Sequence, residues 1–64
     1  MNREEVEIRT QAHQMDAEGA HDEKPNSEEI KTLIESEGFR YRNLEIWFDD
    51  LQKLWRWSCD IHRI

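Results

Sequence analysis

The stretch from Asn43 to Ile64, NLEIWFDDLQKLWRWSCDIHRI, holds all three tryptophans, one of the two phenylalanines and the only cysteine of a 64-residue chain. How it is read decides the fold. On a wheel of about 100° per residue, Leu44, Trp47, Phe48, Leu51, Leu54, Trp55, Ser58 and Ile61 gather on one broad face. Glu45, Asp49, Gln52, Arg56, Asp60 and Arg63 collect opposite them. The pattern predicts an amphipathic helix over 44–62, with Asn43 as its cap. Trp57 falls off the apolar face, near Ile46 and Ile64. There it is expected to pack against the first segment, to lie over Lys53 as a cation–π pair, or to act as a binding hot spot.

Working back, NSEEIKTLIESEGF carries a consistent set of helix signals. Asn26 can cap the first turn, Glu29 can reach back to it, and Glu28 and Glu29 complement the positive end of the dipole. Ile30, Leu33 and Ile34 form a short apolar stripe. Gly38 can take the left-handed conformation that closes a helix, with Phe39 folding back. A helix over 27–37 follows. The connection GFRYR is short, as an antiparallel helix pair requires. In the rival reading FRYRNLEIWF is a strand, because Phe39 and Tyr41 alternate with Arg40 and Arg42, but that alternation slips a position between Tyr41 and Leu44.

The first segment reads two ways. Asn2 with Glu5, an i,i+4 pair of Glu5 and Arg9, and Ile8, Ala12 and Met15 on one face suggest a weak or partly ordered helix over 3–17. Val6, Ile8 and Thr10 alternating with Glu5, Glu7 and Arg9 suggest a strand. EGAHDEKPNS reads as a linker. The expected fold class is therefore all-α: a helical hairpin of 27–37 and 44–62 within a unit spanning 26–64, preceded by an acidic segment and linker over 1–25.

A single core below roughly 70–80 residues seldom supplies more than about 3–5 kcal/mol, and one cysteine makes no internal disulfide. The two-turn stripe cannot cover a five-turn face. Completion by a homodimer is the expectation. The lone thiol, the charged N-terminus and the absence of any apolar run near roughly 18 residues point to the cytoplasm.

Of the net charge of −6, residues 1–37 carry −7 and residues 38–64 carry +1. Such a front half repels phosphate backbones, so direct nucleic acid binding is disfavoured and a basic protein partner is expected. Cys59 and His62 have helical i,i+3 spacing, but two ligands make no zinc site and no third group orients a thiolate. No metal, cofactor or enzymatic activity is expected. A peripheral membrane helix is a minor alternative, because Glu45, Asp49 and Asp60 interrupt its basic side.

The expected function is that of a small protein-interaction module, a regulator or inhibitor of a larger, basic and nucleic-acid-binding protein. Mimicry of nucleic acid, as in phage or mobile-element proteins, is its narrower form. Trp47, Trp55, Trp57 and Ile61 would supply affinity, with Glu4, Glu5, Glu7, Asp16, Glu18, Asp22 and Glu23 steering the encounter. The alternative is a structural homo-oligomer or assembly subunit.

Overall fold

A computed structural model describes residues 4–11 and 14–64. The elements in chain order are β1 (Glu4–Gln11), β2 (Gln14–His21), α1 (Ser27–Ser36), β3 (Phe39–Asp49) and β4 (Leu54–Arg63). The all-α expectation is overturned. The strands form one antiparallel sheet in the order β1-β2-β4-β3, and the single helix packs against it.

In β4, Trp55, Trp57, Cys59 and Ile61 alternate with Arg56, Ser58, Asp60 and His62. That two-residue period sends successive side chains to opposite faces, and aromatic residues favour such a pleated, half-buried surface. The predicted helix over 44–62 is instead a hairpin of β3 and β4. Its turn breaks the helical pattern in the middle. Asp49 Oδ1 accepts from the backbone N–H of Leu51 at 2.9 Å and of Gln52 at 3.2 Å, and Lys53 adopts a left-handed φ of 57°. An aspartate bonding its own backbone two residues on is a turn device that competes with helix.

The slip in alternation within β3 has a specific origin. Pairing runs from Arg42 opposite Asp60 to Glu45 opposite Ser58, so β3 spends one residue more than β4 over that interval. Asn43, at φ 57°, lies within this bulge, a conformation that asparagine tolerates better than most residues. Its side-chain amide donates to Asp60 Oδ2 at 2.9 Å. Asn43 is therefore a bulge residue and not a helix cap.

The N-terminal helix over 3–17 is likewise replaced, by β1 and β2 paired without a break from Glu4 opposite His21 to Gln11 opposite Gln14. The expected Glu5–Arg9 helical pair gives way to cross-strand pairing, described below for Arg9. The first part of the predicted linker also changes character, since Glu18–His21 belongs to β2. The Ala12 and Met15 positions invoked for the first helix split, Met15 lying in β2 and Ala12 outside the described residues.

The helix over 27–37 agrees with the structure to within one residue. Asn26 Oδ1 accepts from the Glu29 backbone N–H at 2.8 Å, while the Asn26 amide donates to Glu29 Oε1 at 3.3 Å. Glu29 thus reaches the cap's side chain. Gly38 follows the last turn at φ 91°, where a side chain would be strained. Its N–H donates to the Glu35 carbonyl at 3.0 Å, and Phe39 turns into the core.

The helix links β2 to β3, which run parallel on either side of β4. On the covered face, Ile30 and Ile34 meet Ala17, Phe39, Trp57, Cys59 and Ile61, with Met15, Leu33, Tyr41, Leu44 and Ile46 packed around them. Trp57 is 0% exposed. In the register it faces Gly19 on one side and Ile46 on the other. Its indole N–H donates to His21 Nε2 at 2.9 Å. The residue that fitted no helical face is the centre of the sheet's core.

Replacing His21 with alanine is expected to leave the buried indole N–H without its acceptor. A loss of about 1–3 kcal/mol should appear as a lower midpoint in urea unfolding followed by tryptophan fluorescence.

Candidate interaction surface

With α1 on one side, the other face of the sheet is covered by no element among the described residues. Alternation brings to it Glu7 and Arg9 from β1, Asp16 and Glu18 from β2, Glu45 and Trp47 from β3, and Arg56, Ser58 and Asp60 from β4. A shallow depression runs across three of its strand boundaries, from Arg9 through Asp16, Glu18, Ser58 and Asp60 to Asn43, Glu45 and Trp47. Trp47 is 42% exposed at its rim. Large aromatic side chains in such a place lose much unfavourable hydration when a partner covers them.

The charges around the depression are partly tied down. Arg9 donates through Nε to Asp16 at 3.3 Å and through Nη2 to Glu18 at 3.0 Å, holding two carboxylates side by side. The Asn43 amide holds Asp60. Glu45 has no side-chain partner among the described residues. Arg56, opposite Trp47 in the register, donates from Nε to Asp49 Oδ2 at 2.8 Å and also bonds Gln52 Oε1. The Arg56 bond, the Gln52 and Leu51 amides and the guanidinium charge outweigh a small desolvation effect and hold the Asp49 carboxyl below its ordinary 3.8. The tryptophan therefore sits beside a guanidinium already fixed in place.

A second apolar feature lies at the hairpin end. Phe48 and Trp55 pack edge to face with centroids 5.3 Å apart at 61°, and Lys24 Nζ lies 5.4 Å from the centre of the Trp55 ring. The cation–π pair anticipated for Trp57 and Lys53 is formed by Trp55 and Lys24. Leu51, at the tip of the turn, is 95% exposed.

The residues singled out from sequence are thus dispersed. Trp47, Glu7, Asp16 and Glu18 share the open face. Trp55 lies on the helix side, and Trp57 and Ile61 are buried beneath the helix. Asp22 and Glu23 are exposed in the segment leading to α1. Glu4 and Glu5 belong to β1, with their side chains outside the described set. Sequence reading passed over Arg9, Asn43, Glu45 and Asp60, which line the depression. Their association depends on strand order, which no local pattern in the sequence carries.

Cys59 and His62 have odd and even positions on a strand, so they point to opposite faces. The helical i,i+3 argument for their proximity fails with the helix. No cluster of three or more His, Cys, Asp or Glu groups placed to hold a metal occurs among the described residues. Burial, with smaller contributions from the charges of Asp60 and Asp16, pushes the Cys59 thiol from 9.0 up to about 11. A thiol held protonated in this way is a poor nucleophile. None of the helices among the described residues is long and apolar enough to cross a membrane.

A scan against protein-family models gives no match, and no curated protein or solved structure is similar enough to the chain to be matched.

Cys59 is expected to resist a thiol reagent at pH 8 and to react at once in denaturant, monitored by absorbance. Because its folded pKa lies above the unfolded value, its contribution to stability is complete below pH 9 and is lost as pH rises toward about 11. Urea midpoints measured across that interval should fall.

Proposed function

We propose that this chain is a non-catalytic protein-binding module of the cytoplasm that regulates or inhibits a larger, basic partner by covering part of its surface with the open face of the sheet. The observation that carries the reading is Trp47, 42% exposed on a face that no element of the described chain covers, with Glu45 two residues before it on the same face and the Asp16–Arg9–Glu18 cluster across the depression. An aromatic anchor ringed by charged groups is the arrangement in which a few residues supply most of the affinity while the rim governs encounter and specificity. The face lies on hydrogen-bonded strands, so the anchor is presented without a folding cost at binding.

The charge pattern favours a protein surface over imitation of a phosphate backbone. Arg40, Arg42 and Arg56 stand among the carboxylates of the same face by register, whereas a mimic of nucleic acid needs a run of one sign. The greater acidic excess lies elsewhere, over the exposed Asp22, Glu23, Glu28, Glu29, Glu35 and Glu37, with Lys24 and Lys31 between them. That excess contributes long-range attraction to a basic partner, and the open face contributes the contact.

Trp47→Ala removes the anchor from an exposed position and should leave the unfolding free energy from urea titration within about 0.5 kcal/mol of the wild-type value. Capture of the basic partner from host lysate should fall by at least about tenfold. Equal capture by Trp47→Ala and wild type would refute the reading. Simultaneous binding of the partner to this protein and to an oligonucleotide would exclude occupation of a nucleic-acid cleft.

A further inference from the structure

The two edges of the sheet are finished differently. On β3 the edge is interrupted by the Asn43 bulge, a device that discourages a further strand from pairing. On β1 the register against β2 runs unbroken for eight residues, with neither bulge nor proline. Val6 to Thr10 are all exposed. Beside this edge, on the helix side, Val6 and Ile8 form a groove with Leu33, Ile34 and Glu37, and the two strand residues remain 40% and 37% exposed. Helix α1 reaches β3, β4 and β2 but does not close over β1.

We infer that β1 pairs antiparallel with β1 of a second copy of this chain about a two-fold axis through Ile8, making a continuous eight-stranded sheet. The sequence of the edge selects both the partner and the register. With the axis at Ile8, Glu7 stands opposite the partner's Arg9 and Arg9 opposite the partner's Glu7, both on the open face. Ile8 meets its own copy on the helix side, and Val6 meets Thr10. Opposite charges and apolar residues directly across a ladder favour the pairing, and like charges there oppose it. Moving the axis by one residue sets Glu7 against Glu7 or Arg9 against Arg9. Any register with an even–odd pairing places the charged row of one copy against the apolar row of the other. Symmetry repeats the Glu7–Arg9 and Val6–Thr10 contacts on either side of the single Ile8 pair on the axis, as an isologous interface requires.

The ionic partners are available. Glu7 has no side-chain partner among the described residues. Arg9 uses Nε and Nη2 for Asp16 and Glu18, leaving N–H groups of its fork for a third carboxylate. The groove gains an outer wall from the apolar row of the second β1, and the unpaired backbone edge is consumed.

Sedimentation equilibrium across a concentration series tests this. The wild type should approach twice the 7.8 kDa chain mass. Glu7→Arg should weaken association by at least about tenfold, since two attractive pairs become repulsive. Arg9→Glu should do the same, and an equimolar mixture of the two variants should recover a dimer by pairing Arg with Glu across the axis. Ile8→Lys, which sets two ammonium groups face to face and spares the internal ion pairs, should also yield monomer with an unchanged circular dichroism spectrum. A wild type that stays monomeric throughout the series overturns the inference. So does a dimer unaffected by both Glu7→Arg and Ile8→Lys, since it would use another surface.

Discussion

The buried indole of Trp57 is the constraint on which the remainder of the structure depends. It lies across from Gly19 of β2 and Ile46 of β3, bonds His21 at the end of β2, and sits in the cluster that Ile30 and Ile34 of α1 complete. One side chain therefore ties the N-terminal hairpin, the helix and the C-terminal hairpin together. A chain this short cannot build several independent layers of core. Concentrating apolar volume in a single tryptophan, and giving its one polar atom an internal acceptor, achieves closure with few residues.

The same economy leaves surface uncovered. A helix of ten residues spans about 15 Å, enough to lie over part of a four-stranded sheet and no more. Its two inward isoleucines cover β2, β4 and β3, so the apolar row of β1 stays at the margin and no element among the described residues covers the second face of the sheet. Both surfaces discussed above are consequences of that geometry. One is an edge with hydrogen-bonding capacity left over; the other is a broad pleated face with an aromatic residue among ion pairs.

The helix was legible because its signals are local and independent of context. Asn26, Glu29, Gly38 and the Ile30–Leu33–Ile34 stripe all act within a few residues of one another. The strands were misread where two periods overlap. Apolar residues at Leu44, Trp47, Phe48, Leu51, Leu54 and Trp55 satisfy a helical wheel by coincidence, since the hairpin turn resets the phase between the two strands. The slip between Tyr41 and Leu44 counted against a strand until Asn43 is recognised as an extra residue in a bulge. Trp57 was the contradicting residue, as it fitted the two-residue period of β4 and no helical face. Trp47 was legible as a candidate anchor, whereas Arg9, Asn43, Glu45 and Asp60 were not, because their association depends on strand order.

The bulge at Asn43 also sets the reading frame of the edge strand. Before it, odd-numbered Phe39 and Tyr41 look toward the helix; after it, even-numbered Leu44 and Ile46 do. Parity is exchanged by one inserted residue. Removing that residue would let Arg42 lead directly into Leu44 in unbroken alternation, leaving Leu44 and Ile46 toward the helix and Trp47 on the open face. A one-residue change of length at a regularly alternating position of the same strand has no bulge to absorb it, and there it exchanges which side chains lie inside.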